Sequence, residues 1–156
     1  MFRMVPSRPS RKFLLLLAVI GLLRIAIPGA SIAAFPGTNG RIAFQSDDEI
    51  AVINADGSGL RVLSELGTGS DPAWSPDGAS LAFATGGHLA IADFVSLDVI
   101  DLPGSGDSDP AWSPDGTKLA FSRCGANCEI YTINADGTSP VNLTNNAASD
   151  TDPAYS

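Results

Sequence analysis

The chain has 156 residues, enough for one ordinary domain. Its 17 acids outweigh nine basic residues, for a formal charge of −8. After residue 34 only Arg41, Arg61, Lys118 and Arg123 face all 17 acids, a formal charge of −13, which excludes nucleic acid and makes anionic membranes poor partners.

The first 34 residues have the three parts of a secretory signal peptide. Arg3, Arg8, Arg11 and Lys12 form a basic start without acids. Phe13 to Leu23 ("FLLLLAVIGLL") is unbroken apolar sequence, and "PGASIAA" offers small residues for cleavage after Ala33 or Ala34. The other reading is an uncleaved anchor from Phe13 to Phe35. Arg24 at its middle would cost about 3 kcal/mol on insertion scales. A cleaved signal is the better account, so the expected location is the periplasm or the cell exterior. Membrane contact is expected only if the signal stays uncleaved.

Beyond the signal, the chain repeats itself. "SDPAWSPDG" runs from Ser70 to Gly78 and returns unchanged from Ser108 to Gly116. A third copy begins at Asp152 as "DPAYS". "RIAF", "SLAF" and "KLAF" place Ile42, Leu81 and Leu119 at one repeat position, 39 and 38 residues apart. "INADG" occurs at Ile53 and again at Ile133. A period near 40 fits helical repeats or propeller blades. Short β-type runs separated by turn signals, with no helical period, favour blades. "SPDG" puts Pro and Gly where a type I turn wants them, and "NADG" closes the next hairpin. Each repeat then reads as four antiparallel strands: "PAWS", "LAF", "EIYTIN" and "VNLT". The predicted fold is all-β, a partial β-propeller of about three four-stranded blades.

These elements in this order, "DPAWSPDG…LAF…EIYTINADGTSPVNLT", resemble the WD-like propeller repeats of the TolB family, which are also similar to the propellers of some oligopeptidases. The resemblance covers residues 38–156. It implies blade one over 38–66, blade two over 70–102, blade three over 108–144 and the start of a further blade over 150–156. It also implies envelope-associated scaffolding by protein binding. Trp74 and Trp112, with the turn residues Pro76, Asp77, Gly78, Pro114, Asp115 and Gly116, are the expected structural anchors, the tryptophans packing between blades. Blade two lacks the NADG turn, so a looser outer edge is expected there.

Blade one begins at its second strand, and "DPAYS" supplies one unaccompanied first strand. The better account is the N-terminal part of a longer propeller. The alternative is two chains exchanging these strands to build a six-bladed ring. Unpaired blade edges would in either case favour self-association.

No catalytic set is visible. A nucleophile elbow is missing, and His88 is the only histidine. The expectation is a non-enzyme without cofactor or metal; the rival is a gating propeller whose hydrolase domain lies beyond Ser156. Cys124 and Cys128 in "CGANC" suit a disulfide in an exported protein, worth about 2 kcal/mol for so short a loop. A metal pair is the less favoured reading. The "NADG" turns lack the flanking acids of a calcium loop. Asp71, Asp109 and Asp152 share one repeat position before the innermost strand. They form a candidate acidic mouth for a protein partner with a basic segment. The alternative is that each Asp merely ends a loop by local hydrogen bonding.

Overall fold

A computed structural model describes residues 40–156; the expected signal peptide lies outside them. Eleven strands form three antiparallel sheets among these residues. The first holds β1 (Arg41–Ser46), β2 (Glu49–Asn54) and β3 (Arg61–Val62). A short 3₁₀ turn, Ser64–Leu66, leads to the second. That sheet holds β4 (Ser70–Trp74), β5 (Ser80–Thr85), β6 (His88–Asp93) and β7 (Val99–Asp101). The third holds β8 (Asp107–Trp112), β9 (Lys118–Cys124), β10 (Cys128–Asn134) and β11 (Val141–Asn142). Each sheet is a meander of sequential neighbours.

The apolar pattern requires stacking. In β5 and β6 the four central residues are all buried, so both faces need a partner. Leu81, Phe83, Ala90 and Ala92 pack with Ile50, Val52 and Leu63 of the first sheet. Ala82, Ala84, Leu89 and Ile91 pack with Leu119, Phe121 and Ile133 of the third. The two cores therefore lie between sheets, and β4 packs on β8 at the inner edge. These sheets are blades.

The repeated turns explain the repeated letters. In "SPDG", Gly78 N–H donates to Ser75 O at 2.9 Å. The Ser75 hydroxyl donates to Asp77 Oδ1, which also accepts from Ala79 N–H, while Ser80 N–H donates to Ser75 Oγ. Ser113, Asp115, Thr117 and Lys118 repeat this net. In "NADG", Asp56 Oδ1 accepts from the Ser58 hydroxyl and N–H, and Asp136 does the same with Thr138.

Two sequence expectations need correction. Blade two's outer edge is not looser: β7 pairs with β6 at three positions, whereas β3 and β11 each pair at two. Asp93 replaces the missing turn by accepting from Val95 N–H and Ser96 N–H. Asp71 and Asp109 stand inside β4 and β8, not before them. Each sits with positive φ where the ladder to the next strand slips, between Ser70 and Ala73 and between Ser108 and Ala111. The following proline has no N–H for a regular ladder, and a bulge accommodates it. Asp152–Ser156 has no ladder partner among the described residues.

The turn aspartates make acid sensitivity predictable. Hydroxyl donors chiefly hold Asp56, Asp77 and Asp136 below the usual carboxylate range, and the Ser96 N–H chiefly does so for Asp93. Asp115 is lowered to about 2 by the Ser113 hydroxyl, with help from Thr117. Folding lowers each pKa, so in acid the unfolded chain takes up protons first. Their stabilisation is complete well above 3.8 and is lost as pH falls through the folded values, toward about 2 for Asp115. Urea midpoints should fall across that window, and Asp115→Asn should flatten the fall.

Candidate functional site

The turns between the second and third strands of each blade, and the connections to the next blade, gather at one end. Each connection docks on such a turn: Gly69 N–H donates to Asp48 O and Gly106 N–H to Gly87 O. Asp150 N–H donates to Cys128 O in the same way. A groove of about 330 Å³ opens there, lined by Gln45, Asp48, Ser70, Gly86, Asp107 and Ser108 among others.

Asp71, Asp109 and Asp152 stand at this end with nearly one backbone geometry, at φ 51°, 52° and 55°. Aspartate tolerates this left-handed region better than most residues. Each carboxylate accepts one hydroxyl at 2.9 Å from the residue before it: Ser70, Ser108 and Thr151. No ion pair among the described residues uses any of the three. Asp71 and Asp152 are exposed and Asp109 is half-buried. The third copy of the motif thus takes the local shape of the other two without a strand beside it.

Two other acids at this end already have partners. Asp107, 4% exposed, makes a bidentate pair with Arg123, Nε to Oδ1 at 2.6 Å and Nη2 to Oδ2 at 2.8 Å. Arg123 also donates to Pro103 O and lies over the Phe121 and Tyr131 rings. Its pKa is raised, chiefly by the bonds to Asp107. Glu129, also buried, accepts from the Thr144 hydroxyl, the Asn127 amide and the Asn146 N–H. The Thr144 hydroxyl chiefly holds its pKa below the usual value. Glu129 thereby ties the loop after β11 to β10. Neither partnership is visible in the repeat: Arg123 has no basic counterpart in the other blades, and Glu129 shares its position with Glu49 but takes its donors from Asn127, Thr144 and Asn146.

Cys124 and Cys128 are Cα partners at the end of the β9–β10 ladder, and their sulfurs are bonded. Trp112 Nε1 donates to Ala73 O across the blade interface, at 3.1 Å. Trp74 packs in the first core, edge-on to Phe94. His88 Nε2 lies 3.1 Å from Asp101 Oδ1. Among the described residues no three His, Cys, Asp or Glu side chains are grouped to hold a metal ion. No described helix is long and apolar enough to cross a membrane.

No protein-family model matches the chain, and no curated protein matches it. Solved structures do. TolB from Acinetobacter baumannii superposes with a TM-score of 0.61 at 22% identity, over 79% of this chain and 35% of that one. A putative TolB from Agrobacterium tumefaciens gives 0.58 at 18% identity, over 72% of this chain and 50% of that one. The β-propeller domain of the Trilobed protease from Pyrococcus furiosus gives 0.48 at 17% identity, over 69% and 41%. The chain spans between about a third and a half of the length of the two TolB structures. The fold shared with the TolB structures is the β-propeller, and residues 40–156 form three TolB-like blades of it.

Proposed function

We propose that this chain is an exported, non-catalytic propeller module that binds a basic segment of a protein partner at the acidic end of its inner strands. The observation that carries the reading is the triple repetition of one exposed or half-exposed carboxylate, at Asp71, Asp109 and Asp152, without a cation beside any of them among the described residues. A formal charge of −13 after residue 34 adds long-range attraction for a cationic partner. The positive start and apolar run of residues 1–34 support export. A gating propeller beside a hydrolase is the rival, and its catalytic groups would have to come from outside this chain.

Replacing all three aspartates by asparagine tests the reading. Asparagine keeps a hydroxyl acceptor and also tolerates positive φ, so the blades should persist. Affinity for a Lys/Arg-rich peptide should fall at least about tenfold, or about 1.4 kcal/mol. Undiminished binding by a folded triple variant would remove the acidic mouth from the account.

A further inference from the structure

The hairpin turns at the mouth end differ between blades. Blade one turns through Asp47 and Asp48, between the paired Ser46 and Glu49. Blade two turns through Gly86 and Gly87, between Thr85 and His88. Asp47, Gly86 and Gly87 have the positive φ that so tight a turn needs. Blade three takes three residues, Gly125, Ala126 and Asn127, between the paired Cys124 and Cys128. A three-residue hairpin loop ordinarily ends on a left-handed residue, and none of these three has positive φ. The backbone does not close the last rung either. Cys124 N–H donates outward to Gly106 O, and Cys128 N–H donates to Ser149 Oγ. The sulfur bridge therefore closes this hairpin, beside one bond inside the loop from Gly125 N–H to Asn127 O.

The same loop holds the chain that follows β11. The Asn127 amide donates to Asn146 O at 2.9 Å and to Ala148 O at 2.7 Å. Cys128 O accepts from Asp150 N–H at 2.8 Å. Asn146–Asp152 has no ladder partner among the described residues, and all of it is exposed except the half-buried Asp150. No buried apolar side chain anchors it. Its other hydrogen bonds to the described blades go to Glu129, which accepts from Asn146 N–H, and to Ser122, which accepts from Asp152 N–H.

We propose that the Cys124–Cys128 disulfide is a reducible latch for Asn146–Asp152, fixing Asp152 in place when oxidised and releasing it when reduced. The consequence for partner binding rests on the acidic-mouth reading; the latch itself does not. The reductant is a dithiol. One of its thiolates attacks the sulfur of Cys124, the exposed member of the pair, and Cys128 leaves as a thiolate that takes up a proton. The second thiol then displaces Cys124, which is protonated in turn, and the reductant departs as its own disulfide. Two electrons and two protons thus pass to the chain. An oxidising compartment runs the exchange the other way, so the latch closes there. Once the loop opens, Asn127 and Cys128 no longer present a fixed set of donors and acceptors, and the segment is left with Glu129 and Ser122 alone.

Amide hydrogen exchange on the full chain, read by mass spectrometry with and without dithiothreitol, tests the latch without any ligand. Counting free thiols confirms the reduction. Exchange over residues 146–152 should quicken at least about tenfold on reduction, while β5 and β6 keep their protection. The Cys124→Ala/Cys128→Ala variant should exchange at the reduced rate whether or not the reagent is present. Unchanged exchange over 146–152 in the reduced protein overturns the proposal. So does lost protection in β5 and β6, which would make the bridge a support of the whole fold. Affinity for a Lys/Arg-rich peptide should fall roughly threefold on reduction, the scale of one exposed ion pair. Equal affinity in both forms overturns the latch's control of the mouth. An oxidised protein that binds no peptide removes the acidic mouth instead, and the exchange result still decides the latch.

Discussion

Asp107→Ala should cost about 3 kcal/mol or more of unfolding free energy, a large share of the roughly 5–15 kcal/mol expected for a domain of this size. The Asp107 side chain is 2% exposed and the Arg123 side chain 22%. Removing the carboxylate leaves the guanidinium among Phe121, Tyr131 and Pro103 O without its anion. The cost is mainly that of an uncompensated, largely buried charge, not the worth of the pair itself. The double variant Asp107→Ala/Arg123→Met should therefore lose less than Asp107→Ala alone. Urea unfolding of the single and double variants measures the difference. A double variant as unstable as the sum of the singles would contradict it.

Gly106→Ala should be worse still, with little folded protein recovered. Gly106 has φ +74°, and an added Cβ would lie 2.3 Å from the Cys124 carbonyl oxygen. That atom is backbone and cannot swing aside. Cys124 N–H donates to Gly106 O, and Gly106 N–H donates to Gly87 O. Gly106 therefore binds blade three's hairpin to the turn of blade two, and any shift disrupts both. Gly57 provides the control. Its φ is +82°, but nothing lies within 4 Å of an added Cβ. Gly57→Ala should cost only the strain of a left-handed alanine, about 1–2 kcal/mol. Thermal unfolding should separate the two variants widely; equal losses would show that strain alone matters.

The repeat made the architecture readable because blades obey local rules. "SPDG" and "NADG" encode their own hydrogen-bond nets, and the apolar runs between them are buried on both faces. Period and turn chemistry therefore led to three sheets. What escaped was side-chain partnering that the repeat does not carry. Nothing in the sequence marks Asp107 for a partner until Arg123, 16 residues on, is seen to face it. Glu129 likewise carries no mark in the sequence until the loop after β11 folds over it. The bulge at Asp71 and Asp109 did leave a signal, since proline inside a strand interrupts the ladder. Trp74 and Trp112 share one sequence context, yet Trp112 has an acceptor in Ala73 O and Trp74 has none among the described residues.

The most direct test of the functional account is the binding of a Lys/Arg-rich peptide to the full chain at increasing salt. The exposed carboxylates act through solvent, so screening should reach them. The account predicts measurable binding at about 0.05 M salt that weakens steeply toward about 0.5 M. A peptide that fails to bind at low salt, or binds equally at both, would contradict recognition by Asp71, Asp109 and Asp152.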